Sequence, residues 1–345
     1  MNLVMTWLAA CHAGSPPSAA PDGAIRARTL DGAAVEVRFD GATIAAVSPA
    51  EGDGLPYVVP ALIDSHVHLA YFPVGERLLD AGVAAVVDLA APESALGPWS
   101  DGDADGLRIR AAGPMLTAPG GYPTTSWGRD GYGREVAGAA EATAAVAALA
   151  AQGATLIKLP LDPAPTLDDD TVRALVDAAH QRGLPVVAHA LTDAGAARAA
   201  ALGVDGLAHT PVEPLDPATI AAWRARHGAF VVSTLRAFGA APAAVANLAA
   251  LHAAGVEVLY GTDLGNLRDV GIDPGELALL EEAGLLPGEV LAAATSRPAT
   301  RWGWEALGAV APGRAASLLL VDGDPREDWS VLADPRAVYV DGVAR

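Results

Sequence analysis

Short apolar runs alternate with longer alanine-rich or amphipathic stretches along most of the chain. Runs of this length predict buried strands, and the stretches between them predict helices. Eight runs fit a strand, and they cover residues 58–65, 82–88, 106–112, 155–158, 185–189, 206–209, 229–234 and 256–263. Because helical or loop sequence follows each run, the pattern predicts an α/β protein with a (β/α)8 TIM barrel.

The clearest helices lie in the second half of this barrel. They are predicted over residues 134–151, 168–182, 216–227 and 241–253. Asp168 and Asp216 stand at the start of two of them, where an aspartate side chain accepts hydrogen bonds from free backbone N–H groups. Gly183 and Gly255 follow two of the helix ends, a position that favours glycine because the backbone there is left-handed.

Both flanks of the barrel have a different pattern, in which polar and apolar residues alternate between tight turns. Residues 24–56 contain the turn Asp31–Gly32, and residues 308–345 contain Asp322–Gly323. This alternation predicts short antiparallel strands, and we expect the two ends of the chain to form one small β-sandwich. The predicted domains are therefore the composite sandwich over 23–57 and 305–345, and the barrel over 58–304.

The first 22 residues resemble the signal and tether of a bacterial lipoprotein. Leu8–Ala9–Ala10–Cys11 matches a lipobox, in which the cysteine receives the lipid, and the apolar stretch before it is too short to span a bilayer. Residues 12–22 have the composition of a flexible tether. We therefore expect lipidation at Cys11 and a membrane-anchored protein of the cell envelope. The alternative is a cytoplasmic protein with an incidental cysteine, because no Lys or Arg precedes the apolar stretch.

Composition narrows the classes of partner and of metal ligand. The formal net charge of −19 argues against nucleic acid as a partner. Cys11 is the only cysteine, which excludes an internal disulfide and a thiolate metal cluster. A metal site in this chain would use nitrogen and oxygen ligands, and the partner we expect is a small-molecule substrate. Homo-oligomers are compatible with this composition.

Metal-competent side chains stand at the ends of the predicted strands. Alternate residues of a strand point to the same face, so the H-x-H pair that closes the first strand directs two imidazoles toward one point. The six candidates, each at a strand end, are His66, His68, Lys158, His189, His209 and Asp263. Because the carboxyl ends of barrel strands meet at one rim, this placement predicts a single metal centre there.

The order of these residues resembles the amidohydrolase superfamily. The resemblance covers nearly all of residues 24–345, and it includes the segment from Pro60 to His68, the Gly261–Thr262–Asp263 triplet and the Pro312–Gly313–Arg314 turn. Within the superfamily the chain is similar to the imidazolonepropionase-like branch, which includes metal-dependent Xaa-Pro and Xaa-Arg dipeptidases. Gly120–Gly121 is typical of that branch.

The resemblance implies a binuclear metal-dependent amidohydrolase that cleaves a C–N bond of a small substrate. Lys158 would react with CO2 to form a carbamate that bridges two divalent ions, with zinc as the expected metal. His66, His68 and Asp263 would bind one ion, and His189 and His209 the other. A hydroxide shared by the ions would attack the carbonyl, while Asp263 would carry the proton to the leaving nitrogen.

Three residues that follow strands are candidates for substrate contact, or else ordinary surface loop residues: Tyr122, Arg236 and Arg268. Tyr122–Pro123 stands where related enzymes often have His–Gly, so contacts there are expected to differ. An ester or lactone hydrolase remains an alternative, since the same attack serves either carbonyl. A mononuclear deaminase would place a glutamate where this chain has Thr192, and a non-catalytic envelope binding protein would not need the complete ligand set.

Overall fold

The chain begins with four strands that precede the barrel. The structure is a computed structural model that describes residues 23–100 and 106–345, so the predicted lipidation site Cys11 and the tether lie outside the described residues. The four strands are β1 (Ala24–Arg28), β2 (Ala34–Asp40), β3 (Thr43–Pro49) and β4 (Tyr57–Pro60). In β2 the apolar residues Val35, Val37 and Phe39 are buried and their polar neighbours are not, as expected for a sheet with one covered face.

Ten strands follow, and eight of them are the predicted barrel strands. Their bounds are β5 (Leu62–Val67), β6 (Val83–Asp88), β7 (Arg108–Ala111), β8 (Met115–Thr117), β9 (Gly133–Glu135), β10 (Ile157–Pro160), β11 (Val186–His189), β12 (Gly206–Leu207), β13 (Phe230–Val232) and β14 (Glu257–Leu259). The parallel sheets β5-β6-β7 and β10-β11-β12-β13-β14 contain the eight, and β8 and β9 form a separate two-stranded sheet. The apolar run predicted as one strand over 58–65 is divided, because β4 belongs to the sheet of the chain ends.

Backbone hydrogen bonds join the two parallel sheets at both of their edges. Next to β14, the Tyr260 carbonyl accepts from Ser65 N at 3.0 Å, and the His66 carbonyl accepts from Asp263 N at 2.8 Å. At the other edge, the Ala111 carbonyl at the end of β7 accepts from Thr155 N at 2.9 Å. The strands therefore follow one another in the order of a TIM-barrel-like α/β fold.

Helices separate most of the parallel strands. They are α1 (Gly75–Asp80), α2 (Glu93–Ser100), α3 (Ala139–Ala151), α4 (Asp169–His180), α5 (Asp193–Ala201), α6 (Pro217–Arg224), α7 (Pro242–Ala253), α8 (Pro274–Glu282), α9 (Pro287–Ala294) and α10 (Ser296–Arg301). Asp168 caps α4 as predicted, since its side chain accepts from Thr171 N at 2.8 Å, whereas Asp216 precedes α6 without a side-chain cap bond. The helix predicted from residue 134 begins at Ala139, because β9 takes the residues before it.

The two ends of the chain meet in one mixed sheet. The C-terminal strands β15 (Leu318–Val321), β16 (Ala337–Val340) and β17 (Val343–Ala344) join the first four in the order β17-β16-β15-β4-β1-β2-β3. The predicted pairing of the two flanks is therefore present, as a single seven-stranded sheet. A second layer, which would make it the predicted β-sandwich, stays a prediction.

The composite sheet packs closely against the barrel. Gly82, just before β6, has a φ of +85°, and a Cβ atom there would lie 2.1 Å from Leu319 Cδ2 of β15. Glycine is required at this position by both its backbone and its neighbour. Within the described ranges, none of the helices combines the length and apolar character needed to cross a membrane.

Candidate metal centre

The six predicted ligands all lie at the carboxyl end of the parallel strands. His66 is in β5, Lys158 in β10 and His189 at the end of β11, whereas His68, His209 and Asp263 follow their strands within four residues. Every one of the six is buried. The imidazole rings of His66 and His209 are 4.4 Å apart between centroids, and those of His189 and His209 are 4.9 Å apart. The structure thus brings together side chains that are up to 197 positions apart in the sequence.

His66, His68 and Asp263 form the tightest group, with ligand atoms within 4.8 Å of one another. Asp263 Oδ1 lies 3.1 Å from His68 Nε2 and 3.5 Å from His66 Nε2. His66 Nδ1 lies 2.8 Å from the Ala208 carbonyl oxygen, which can only accept, so this nitrogen carries the proton. Burial, followed by the charge of Lys158, holds the pKa of His66 well below its usual value, so the ring is neutral.

This arrangement leaves a lone pair on His66 Nε2 directed at a carboxylate. No described group forms a hydrogen bond with His66 Nε2, although the atom is buried. Two electron-rich atoms that face each other without a proton between them are stabilised by a cation. Neutral imidazole nitrogen and carboxylate oxygen are ligands that divalent transition metals accept. The donor set therefore fits the metal ion that the sequence resemblance implies.

Asp263 is held in position by its backbone and by its neighbours. It is a non-glycine residue with φ of +58°, a conformation that aspartate tolerates better than most residues. Asn266 Nδ2 donates to Asp263 Oδ1 at 3.0 Å. Burial raises the pKa of the Asp263 carboxyl, but the surrounding histidines and the hydrogen bonds from His68 and Asn266 outweigh burial and hold it at about 2. Asp263 is consequently ionised at neutral pH.

Lys158 is completely buried between the two sets of histidines. Its Nζ has no hydrogen-bond partner among the described residues. Burial lowers the pKa of the amine to about 7, although the carboxylates Asp263 and Asp88 act in the opposite direction. A large share of Lys158 is therefore the neutral amine near neutral pH, which is the nucleophilic form.

His189 and His209 form the second histidine pair. Burial, followed by the charge of Lys158, lowers the pKa of His189 to about 3, and its Nδ1 has no partner among the described residues. Burial and the neighbouring His66 hold the pKa of His209 well below its usual value. His209 Nδ1 lies 2.9 Å from Thr234 Oγ1, which fixes the ring from behind. Both rings are neutral and available as ligands.

Two buried carboxyl groups support the predicted ligands, and neither was predicted from the sequence as a site residue. Asp64 accepts from His66 N at 3.0 Å and from Thr262 Oγ1 at 2.5 Å, so it joins β5 to the segment that carries Asp263. Asp88 accepts from Ala70 N at 3.0 Å and holds the loop after His68. Burial raises the pKa of Asp64 to about 7 and that of Asp88 to about 6. Each is a charged residue within an apolar strand run, and this feature could have indicated both from the sequence.

A third buried carboxyl group had no such signal. Glu276, near the start of α8, accepts from Leu235 N and Arg236 N at 2.8 Å each. It thereby holds the loop after β13, which carries Thr234 and the ring of Phe238, 4.9 Å from His209. Burial raises the pKa of Glu276 to about 7. Glu276 lies in an ordinary helical sequence, so its supporting role is visible only from its contacts in the folded chain.

Aromatic side chains cover the histidines on one side. The Tyr122 ring stacks on His189 with a centroid distance of 4.9 Å, and Trp127 contacts His68 at the same distance. Trp127 Nε1 donates to the Tyr122 hydroxyl at 2.9 Å, and Trp127 also contacts Tyr71 and Tyr132. We call the four residues Tyr71, Tyr122, Trp127 and Tyr132 the aromatic wall. Of these, only Tyr122 was predicted from the sequence as a site residue.

The two candidate arginines differ in their surroundings. Arg236 Nη1 pairs with Asp273 at 2.6 Å, so its charge is already compensated. The guanidinium of Arg268 lies over the rings of Phe72, at 4.5 Å, and Tyr71, at 5.3 Å. Contact of Tyr122, Arg236 and Arg268 with a substrate stays a prediction.

Comparisons with known proteins agree with this geometry. Residues 57–345 match the family model described as the Amidohydrolase family. An uncharacterized protein of Mycobacterium tuberculosis is 29% identical over 330 residues, which cover 83% of this chain and 84% of that protein. A prolidase complexed with N-methylphosphonate-L-proline is 26% identical, with a TM-score of 0.73 over 92% of this chain and 98% of its own. A Xaa-Pro dipeptidase with bound methionine is 23% identical and shares the fold, with a TM-score of 0.77 over 90% and 95% of the two chains.

Proposed function

The chain belongs to the amidohydrolase family, and from this premise we propose that it is a binuclear metal-dependent hydrolase that cleaves the C–N bond of a small amide. One observation carries the proposal. Neutral histidine nitrogens and the ionised Asp263 converge at the carboxyl end of the strands, and several of these buried atoms have no hydrogen-bond partner among the described residues. Such atoms are costly to bury unless a ligand satisfies them.

The residues divide into two sets of ligands. His66, His68 and Asp263 would hold one divalent ion, and His189 and His209 the other, with zinc as the expected metal. Bound ions of this kind supply Lewis acidity, which polarises a carbonyl group and lowers the pKa of water. His66 is oriented for this purpose by the Ala208 carbonyl, and His209 by Thr234.

Lys158 would complete the site as a carbamate. Its neutral amine attacks CO2, a C–N bond forms, and the amine releases one proton to solvent, which leaves a carboxylate on the side chain. The change converts a group that repels cations into an anion that can be shared by two of them. The buried and unpartnered Nζ supports this assignment, because an ordinary structural lysine would carry an ion pair or reach solvent.

Asp263 is the residue that moves the proton. Its carboxylate accepts a proton from the attacking water and donates it to the leaving nitrogen, which departs as a neutral amine. Asn266 holds Oδ1 and so restricts the rotation of the carboxylate. Thr192, the position where a deaminase would need a glutamate, instead caps α5 by accepting from Gly195 N at 3.0 Å.

Metal analysis tests the proposal most directly. The purified protein should contain close to two divalent ions per chain and should hydrolyse members of a library of dipeptides and N-acyl amino acids. Chelation should abolish this activity, and added metal should restore it. One tightly held ion in a fully active protein would contradict the binuclear site, and turnover confined to lactones would contradict amide cleavage.

The role of the N-terminal segment is a separate proposal. We propose that Cys11 is lipidated, which would anchor the enzyme to the cell envelope and place the tether between membrane and barrel. The mature bacterial protein should then partition into detergent and lack residues 1–10, and Cys11→Ser should prevent both. Recovery of the soluble chain with Met1 intact would contradict it.

A further inference from the structure

Arg268 and the aromatic wall lie side by side at the rim of the metal centre. The Tyr71 ring contacts both, since it is 5.3 Å from the Arg268 guanidinium and 5.6 Å from the Trp127 ring. Trp127 in turn contacts the ligand His68. We propose that Arg268 determines specificity by pairing with the carboxylate of an N-acyl amino acid whose ring or cyclic side chain packs on the aromatic wall. This inference rests on the proposed amide hydrolysis and names its substrate class.

The two rim arginines show why Arg268 is available for this role. Arg236 experiences the charges of Asp273, Asp269 and Glu276, and Asp273 accepts from its guanidinium. No carboxylate in the described part of the chain pairs with Arg268, and its side chain is exposed. Its guanidinium carbon lies within cation–π distance of the rings of Phe72 and Tyr71. The exposed guanidinium therefore has N–H groups available to a carboxylate, which binds them in the plane of the guanidinium.

The backbone places Arg268 close to the reacting end of the site. Leu267 N, from the residue just before it, donates to the carbonyl oxygen of the ligand Asp263 at 3.1 Å. An N-acyl amino acid carries its carboxylate and its side chain on the same carbon, next to the scissile nitrogen. The carboxylate and the side chain of the substrate therefore project from one carbon atom. Arg268 and Trp127 are correspondingly close together, since both contact the Tyr71 ring.

Charge makes a local cation necessary. The chain has a formal net charge of −19, which disfavours the approach of an anion. A substrate carboxylate needs a partner at the rim to offset this field and the loss of hydration. The uncompensated Arg268 provides that partner.

Binding of reaction products measures this specificity without turnover. L-phenylalanine and 2-phenylethylamine differ by the carboxylate alone, and L-alanine lacks the ring. Calorimetry on the metal-loaded protein should show L-phenylalanine binding about 10-fold or more tightly than 2-phenylethylamine, the effect of a charge-assisted hydrogen bond. L-proline and pyrrolidine provide the same comparison for a cyclic side chain.

Variants of Arg268 and Tyr71 test which residue causes the preference for the carboxylate and which the preference for the ring. Arg268→Met should remove the preference for the carboxylate, and Arg268→Lys should retain part of it. Arg173→Met, which changes the charge equally on the exposed face of α4, is the matched control and should keep the preference of the unaltered protein. Tyr71→Leu should reduce the preference for L-phenylalanine over L-alanine several-fold, whereas Tyr71→Phe should preserve it.

Two results would overturn the inference. One is that neither amino acid binds better than its amine, and the other is that Arg268→Met keeps the full preference. The proposed function is judged separately, by metal content and by hydrolysis of the neutral amide N-acetyl-2-phenylethylamine. If that amide is hydrolysed while the carboxylate preference is absent, amide hydrolysis stands and the role of Arg268 fails.

Discussion

The two ends of the barrel differ in how their histidine and lysine side chains are paired. At the carboxyl end of the strands, His66, His189 and Lys158 are buried, and each has a nitrogen without a hydrogen-bond partner among the described residues. At the amino end, His180 pairs with Asp205 at 2.8 Å, and Arg301 pairs with Glu257 at 2.5 Å. The histidine and lysine side chains at the carboxyl end thus keep nitrogens without a partner, whereas His180 and Arg301 at the amino end are engaged in ion pairs.

This difference has an energetic cost at the carboxyl end. A buried polar atom without a partner costs about 1–3 kcal/mol, so a cluster of them is a substantial loss of stability. Pairs such as His180 with Asp205 avoid this loss and are partly exposed. The proposed metal ions would offset this cost at the carboxyl end, because they would satisfy those atoms.

The largest effect on activity is expected at Lys158, at the carboxyl end of the strands. Lys158→Ala should abolish activity and weaken the second metal, since His189 and His209 would lose the anion they share. Acetate or propionate should restore part of the turnover because a small carboxylate fits the vacated space. Lys158→Met fills that space without charge and should not be rescued. Full activity in Lys158→Met would refute the carbamate.

The next effect concerns proton transfer. Asp263→Asn should lower kcat by roughly 10²- to 10⁴-fold, because the amide side chain cannot accept the proton of the attacking water. Thermal unfolding and metal analysis should show an intact fold that retains at least one ion. Steady-state kinetics with near-normal kcat would place the proton acceptor on another residue.

A smaller effect is a pH dependence of stability in the metal-free, bicarbonate-free protein. The pKa of Lys158 is about 7 when folded and 10.5 when exposed, so between these values the unfolded chain binds the extra proton. The free energy of unfolding should therefore rise by roughly 1 kcal/mol per pH unit between about pH 7.5 and 9.5. Urea titrations measure this rise, and Lys158→Met should remove it. A flat profile in the unaltered protein would show that the amine is charged when folded.

The smallest effect is expected at the opposite end of the barrel. His180→Ala removes an exposed pair with Asp205 and should change the free energy of unfolding by no more than about 1 kcal/mol. Metal content and kcat should match those of the unaltered protein. A clear loss of bound metal in this variant would mean that the two ends are coupled.

Much of the candidate metal centre could be predicted from the sequence, because the predicted ligands end periodic strand runs. The barrel order followed from the alternation of elements, and His66, His68, Lys158, His189 and His209 were selected by position alone. The bounds of short elements were less accurate. The run over 58–65 divides between β4 and β5, and the helix expected from residue 134 begins five residues later, because pairing with distant strands decides where each element ends.

The supporting contacts could not be predicted, because they join distant segments that have no periodicity. Asp64 meets Thr262, which is 198 positions away, and Glu276 holds the loop after β13 from a helix that follows β14. Trp127 reaches His68 from an irregular loop. Nothing local in these segments indicates which partner the folded chain supplies.

The alternation of strands and helices and the choice of candidate metal ligands could both be made from the sequence alone. Local periodicity is sufficient for both, since parallel strands must bring their carboxyl ends to one rim. Only the tertiary structure decided which polar groups were left without partners and which of the two arginines kept its charge available. Arg236 and Arg268 both follow strands in the sequence, and only the packing of α8 places Asp273 against Arg236 and leaves Arg268 on the rings of Tyr71 and Phe72.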